Sequence, residues 1–272
     1  MKTKIADVTL LRLDHPGANN QAYLKRRKFI ASRARASSQN TIRDIRYHKS
    51  EHLTWKLVST KIAPLHSQWA CSAYLAAKKE LGMPIDRIPQ LRKISSSLQT
   101  KTGFRLAPIE GLVDPKSFLS KLGERVMLST QYIRHSSRPD YTPEPDIVHE
   151  LIGHAPMFLN NEFADFSERI GKAAQQADAR QIQMLERLYW FTVEFGLIRE
   201  GKETKAFGAG LLSSFGELES AFSGKPKLKA FDVRTILKTP YNYSTMQRTL
   251  FVIPSFTVLK NETDRFLKTH AL

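Results

Sequence analysis

Pro143-Glu144-Pro145-Asp146-Ile147-Val148-His149-Glu150-Leu151-Ile152-Gly153-His154 places two histidines and three carboxylates among apolar residues within twelve positions. The prolines end whatever element precedes them. Imidazole is the commonest metal-binding side chain, so the chemistry is sought here first. A helix advances about 100° per residue, so the H-E-x-x-H pattern of zinc proteases sets its histidines about 40° apart. His149 and His154 are five apart, which in an ideal helix separates them by about 140°. That argues against the protease pattern. Both can reach one ion only if they straddle a groove near the helix start or if the helix is locally distorted. Gly153 permits distortion or a close backbone approach. Glu150, four before His154, lines the same side as a supporting or cofactor-binding carboxylate.

Working outward, Leu188-Tyr189-Trp190-Phe191-Thr192-Val193-Glu194-Phe195-Gly196-Leu197-Ile198 is apolar on nearly all sides and predicts a buried helix. Glu194 sits in its middle. A buried carboxylate is costly unless it pairs with a cation or binds a metal. Taken alone, Glu194 fits a buried ion pair with an arginine. Together, two histidines and one carboxylate match the facial triad of non-haem iron(II) oxygenases. They equally match a two-His, one-Glu zinc site. Spacing does not decide between them.

The chain has 272 residues, of which 41% are hydrophobic, enough for a sizeable core and too many for a disordered chain. Its single cysteine, Cys71, excludes an intramolecular disulfide and fits a reducing compartment. No apolar run approaches the roughly 20 residues of a membrane span, and no signal peptide is recognisable. A cytoplasmic protein is expected. The formal charge of +16 raises nucleic-acid or anionic-membrane binding. The cluster Lys25-Arg26-Arg27-Lys28, Arg33, Arg35, Arg43, Arg46 carries no nucleic-acid-binding signature, however. A solvated basic surface is the expectation, with nucleic acid an unlikely partner.

Periodicity and turn signals predict a mainly α chain with a few short β-strands, in one domain over residues 1–272. Residues 1–20 read as a flexible arm. A basic helix over 21–36 turns Tyr23, Leu24, Phe29 and Ile30 inward, and Ser37 to Asn40 break it. A single helix from about Thr54 to Leu81 presents Trp55, Val58, Ile62, Leu65, Trp69 and Tyr74. A short helix runs from Ile88 towards Gln99, and a strand lies within Thr102 to Pro108. Pro115 opens a helix through Leu119 and Leu122. Val126 to Ile133 suggests a strand, Arg134 to Pro145 a polar loop, Glu162 to Ala174 a helix and Gln181 to Arg199 a long helix. Gly208 to Glu217 is a small-residue loop entering a helix to Phe222. Leu250 to Leu259 has strand content.

The segments Thr130-Gln131-Tyr132-Ile133-Arg134-His135, Tyr141 to His154, Tyr189 to Leu197 and Gly208 to Leu218 resemble the aromatic amino acid hydroxylases. Weaker likeness at Leu13 to Gly17, Thr100 to Leu106 and Tyr241 to Tyr243 extends the match over roughly residues 13–260. The resemblance implies an iron(II)- and tetrahydropterin-dependent monooxygenase using O2, with hydroxylation of L-phenylalanine to L-tyrosine expected. Tryptophan or tyrosine hydroxylation is the alternative, and a basic nucleic-acid-binding protein with a structural metal is a further one.

By the same resemblance, iron is held by His149, His154 and Glu194. The amino acid is bound by Arg134, Thr142, Gly210 and Ser213, with Pro145, Trp190 and Phe195 around its ring. Gly111, Val113, Phe118, Glu150 and Tyr189 form the pterin site. Asp146 is expected to orient Arg134, an inference from their nearness in the sequence and not from the resemblance. Read without it, Arg134 is a surface charge, and Phe118, Pro145, Trp190 and Phe195 are core. Neither a regulatory domain nor a C-terminal tetramerisation helix is read in the chain, so a monomer or homodimer is expected.

Overall fold

The computed structural model describes residues 7–37, 41–140, 142, 144–243 and 245–272. Tyr141 and Pro143 of the opening motif, Ser38 to Asn40 of the expected helix break and the first six residues of the expected arm lie outside them. Among the described residues, helices dominate and strands are short, as the sequence predicts.

Helix α1 (Gln21–Arg35) is capped by Asn20, whose side chain accepts from the Tyr23 amide at 3.1 Å. Ile30 and Ala31 are buried, but Phe29 is 51% exposed, contrary to the inward position expected of it. Its place is taken by Arg27, buried with its guanidinium 3.8 Å from the Tyr132 ring centroid. The arm is not loose throughout: His15 is buried, and its Nδ1 accepts from the Gly17 amide at 2.9 Å.

The long helix expected over 54–81 is two helices, α2 (Lys49–Trp69) and α3 (Ser72–Leu81). Ala70 is extended, the Cys71 amide donates to the Ala206 carbonyl, and the Ser72 amide donates to Glu200 Oε1. The edge of a sheet thus captures amides that a continuous helix needs. The apolar spacing continues across the break because both helices face the same core.

Helix α4 (Leu91–Thr102) leads into β1 (Arg105–Pro108), α5 (Pro115–Leu122) and β2 (Val126–Ser129). β1 and β2 pair in parallel with α5 as the crossover. Asp114 caps α5, and Pro115 takes its first position. The strand stops at Ser129 rather than Ile133, since backbone groups beyond it bond to side chains instead. Tyr47 donates to the Gln131 carbonyl and Tyr23 to that of Ile133.

A π-helical turn covers His149–His154, followed by α6 (Asn161–Gln176) and α7 (Ala179–Tyr189). The helix expected to run to Arg199 instead passes through a second π-helical turn, Trp190–Glu194, and ends there. β3 (Leu197–Glu200) and β4 (Glu203–Ala206) then form a hairpin. Helix α8 (Ala209–Leu212) and α9 (Phe215–Ala221) precede β5 (Lys227–Ala230), α10 (Val233–Lys238) and β6 (Thr249–Ile253). The second sheet has the order β4-β3-β6-β5, with β6 parallel to both neighbours. Strand content expected up to Leu259 ends at Ile253. Ser255 caps α11 (Phe256–Thr269), accepting from the Val258 amide at 3.1 Å. A core containing Phe158, Phe163, Phe166, Phe191, Phe207 and Phe251 joins the helices to this sheet. No helix among the described residues is long and apolar enough to cross a membrane.

Candidate active site

The five-residue histidine spacing is resolved by the first π-helical turn. The Ala155 amide donates to the Glu150 carbonyl five residues back, at 3.0 Å. This wider turn brings residues five apart onto one side, where an α-helix would splay them. His149 Nε2 and His154 Nε2 accordingly lie 3.0 Å apart. The second turn repeats the device: the Phe195 amide donates to the Trp190 carbonyl at 3.0 Å. It delivers Glu194, whose Oε1 is 3.2 Å from His154 Nε2 and Oε2 3.4 Å from His149 Nε2.

Helix α8 is wedged between the two turns, and glycines make room for it. A Cβ on Gly153 would lie 2.7 Å from the Ala209 carbonyl oxygen, and one on Gly210 2.6 Å from the Phe195 ring. Gly153 therefore serves close backbone approach. From the end of α8, Ser213 reaches His149. Its hydroxyl donates to the Ala209 carbonyl at 2.7 Å, so its oxygen accepts from His149 Nδ1 at 2.9 Å. That places the His149 proton on Nδ1 and leaves Nε2 with a lone pair towards His154 and Glu194.

The three donor atoms lie within 4.8 Å of one another. Converging imidazole lone pairs repel each other and attract a shared cation, so the set fits a metal ion with one carboxylate and two neutral nitrogens. Burial pushes His149 down to about 4, overcoming the opposite pull of Glu194. Burial also opposes charge on His154 and Glu194, but their mutual attraction wins, raising the first and lowering the second.

Arg134 is 4% exposed, so the surface charge expected of it without the resemblance is corrected. Asp146 does orient it. Asp146 Oδ2 accepts from the Arg134 amide at 2.7 Å and from Nε at 2.9 Å, while Oδ1 accepts from Nη2 at 2.8 Å. Asp146 Oδ1 also accepts from the His149 amide at 3.2 Å. One carboxylate therefore ties the guanidinium to the start of the first π-helical turn. Burial opposes its ionisation, but the Arg134 charge outweighs that and holds Asp146 below the ordinary carboxylate range.

A cleft of about 410 Å³ opens beside His149 and Glu194. Its lining includes Arg134, Thr142, Pro145, Trp190, Phe195, Gly210 and Ser213, and also Val113, Phe118, Glu150 and Tyr189. Asp146 and His154 are buried outside the lining. Gly111 is buried and outside the lining, where Leu112 and Val113 supply the wall. Phe118 meets Tyr189 edge-on, with centroids 5.6 Å apart. Glu150 Oε1 accepts from the Thr130 amide at 3.2 Å and its hydroxyl at 3.1 Å. Burial pushes Glu150 up to about 7. Glu150 Oε2 is buried without a hydrogen-bond partner, an unspent polar group that suits a polar heterocycle beside Phe118, while the Tyr189 hydroxyl is turned towards Glu194.

Sequence reasoning missed Glu144, Glu186, Glu217, Tyr243 and Gln247, which also line the cleft. Glu144 lies within the opening motif and is held by Arg27 Nη1 at 3.3 Å. Glu186 lies one turn before Tyr189, and Glu217 and Tyr243 fall within the segments that carry the resemblance, but nothing in their local pattern marks them or Gln247 as lining a cleft.

A family model described as biopterin-dependent aromatic amino acid hydroxylase matches residues 3–271. The chain is 43% identical over 264 residues to tyrosine 3-monooxygenase of Schistosoma mansoni, covering 95% of this chain and 57% of that protein. Against phenylalanine-4-hydroxylase of Rattus norvegicus it is again 43% identical over 264 residues, covering 95% and 58%. It thus spans about half the length of the curated relatives it matches. A crystal structure of phenylalanine hydroxylase from Chromobacterium violaceum, with bound iron(III) and 7,8-dihydrobiopterin, superposes with a TM-score of 0.77 at 35% identity, covering 83% of this chain and 84% of that one. With a family model matching nearly end to end and relatives of this identity, the chain belongs to the biopterin-dependent aromatic amino acid hydroxylases.

Proposed function

We propose that this protein is an iron(II)- and tetrahydropterin-dependent monooxygenase that hydroxylates L-phenylalanine to L-tyrosine with O2. The observation that carries the reading is the convergence of His149, His154 and Glu194 on one point at the floor of a cleft whose wall holds a buried, oriented arginine. His149, His154 and Glu194 would hold iron, leaving coordination positions open to the cleft. When bound, iron and the reduced pterin together activate dioxygen for attack on an aromatic ring.

The protein's own part is binding, orientation and exclusion of water. Arg134, fixed by Asp146 in a planar pose, presents its remaining N–H groups to the substrate carboxylate. Thr142, Gly210 and Ser213 would complete the head-group site, although the Ser213 hydroxyl is already engaged with His149 and Ala209. Pro145, Trp190 and Phe195 would enclose the ring next to the metal. Phe118 would offer a stacking face to the pterin, and Glu150, Tyr189 and the Gly111 to Val113 backbone would offer polar partners. Phenylalanine is preferred over tyrosine because the solved bacterial structures it resembles bear that name, whereas the curated relatives carry both names.

The test is product analysis of protein loaded with iron(II) and supplied with reduced pterin and each of phenylalanine, tyrosine and tryptophan. Tyrosine formed from phenylalanine at the highest kcat/KM is expected. A higher value for either other substrate would overturn the choice, and no product from any would overturn the activity.

A further inference from the structure

Gln247 has no place in the roles above, yet it is buried and hydrogen-bonded to a wall of the cleft. Its side-chain orientation is not ambiguous. The indole Nε1–H of Trp190 can only donate, so the group facing it at 3.1 Å is the carbonyl Oε1. The amide Nε2 then spends both hydrogens on the carbonyls of Asn242 and Thr245, each at 3.0 Å. The Gln247 backbone amide donates to Glu217 Oε2 at 3.4 Å. One buried residue thus joins the chain entering β6, helix α9 and the π-helical turn that bears Glu194.

The group it holds is a wall of the cleft. The Trp190 ring packs against Phe195 and Tyr241, both with centroids at 4.7 Å and with the rings tilted by 40° and 30°. Apolar ring contacts of this kind enclose the indole but do not fix where its N–H points. The Nε1 hydrogen bond supplies the missing restraint. An apolar pocket discriminates between similar ligands by only a few kcal/mol, so the placement of a large ring decides which ligand ring fits.

We propose that Gln247 is a positioning residue that sets the selectivity of the cleft among aromatic amino acids by pinning the Trp190 indole against Phe195 and Tyr241. The proposal rests on the aromatic amino acid reading of the same cleft and adds to it the residue that fixes its wall.

Gln247→Met preserves shape and removes the acceptor, while Trp190→Phe preserves a ring and removes the donor of the same bond. Each is expected to change the ratio of kcat/KM for phenylalanine to that for tryptophan by about tenfold, mainly through KM, with iron content unchanged. The double variant should change it no further than the larger single effect. Labelling with 5-fluorotryptophan gives a second readout, independent of turnover. Of the three tryptophans, the ¹⁹F resonance missing in Trp190→Phe belongs to Trp190, and it should shift and broaden in Gln247→Met. An unmoved resonance would overturn the pinning. A moved resonance with an unchanged substrate ratio, or single effects that multiply in the double variant, would overturn the link to selectivity. Should the unsubstituted protein hydroxylate none of the three amino acids, the reading of function falls and selectivity with it, while the resonance still decides whether Gln247 holds Trp190.

Discussion

At the scale of single residues, the candidate metal site depends on side chains that do not touch the ion. Ser213 illustrates this. Its hydroxyl proton is committed to the Ala209 carbonyl, which makes its oxygen an acceptor and sets the His149 tautomer. Ser213→Ala is expected to leave the fold intact and to weaken iron affinity about 10- to 100-fold, measured by competition with a chelator. Unchanged affinity would show that the His149 tautomer needs no fixing. Asp146 acts comparably on the other side, dividing four hydrogen bonds between the Arg134 side chain and backbone and the His149 amide. Its part in orienting Arg134 was inferred from their nearness in the sequence, but its capping of the first π-helical turn was not legible, because a bond to a backbone N–H leaves no sequence pattern.

At the scale of elements, two π-helical turns and one short helix build the site. Gly153→Ala would place a methyl 2.7 Å from the Ala209 carbonyl oxygen, a backbone atom that can yield only by moving α8. It is expected to cost about 1–3 kcal/mol in denaturant unfolding and to lower iron affinity as well, since α8 carries Ser213 towards His149. A variant of unchanged stability would contradict the wedge. The other end of α8 is held from α2, where His66 Nε2 donates to the Leu212 carbonyl at 2.7 Å and Nδ1 accepts from Lys78 Nζ at 2.8 Å. Burial, then the Lys78 charge, push His66 down to about 3 from 6.5. A pKa lower in the folded than in the unfolded chain means that its contribution is complete above pH 6.5 and lost as pH falls towards 3. The slope is about 1.4 kcal/mol per pH unit. His66→Gln should flatten this acid limb in unfolding free energies measured across that window. An acid limb identical to that of the unsubstituted protein would exclude His66 as its source.

At the scale of the whole molecule, the candidate metal donors join segments far apart in the chain: residues 149–154 and 190–194, packed through α8 against α2. A ligand that binds only the folded chain stabilises it, by about 2.7 kcal/mol at a hundred times its Kd. Iron removal is therefore expected to lower Tm by about 5–10 °C, restored on reloading and absent in His154→Ala, as followed by calorimetry. A Tm indifferent to chelation would argue against the three-ligand site. The basic cluster also reads differently once folded. Arg27 is buried against Tyr132 and Glu144, and Arg26 pairs with Glu51 at 2.7 Å, so part of the charge is internal structure, while Arg35 pairs with Glu110 at the surface.

The sequence alone determined the helical class and the family, and it singled out His149, His154 and Glu194 as candidate donors. These follow from residue types in order along the chain, and side-chain chemistry does not depend on where the chain turns. Only the tertiary structure decided how the histidines converge, that the helix beyond Tyr189 ends at Glu194, and that Ala70 splits a continuous apolar face into α2 and α3. In each case a hydrogen bond or close contact from a distant segment competes with local helical bonding and wins. The same holds at Gln247 and Trp190, fifty-seven residues apart in the chain and 3.1 Å apart in the fold.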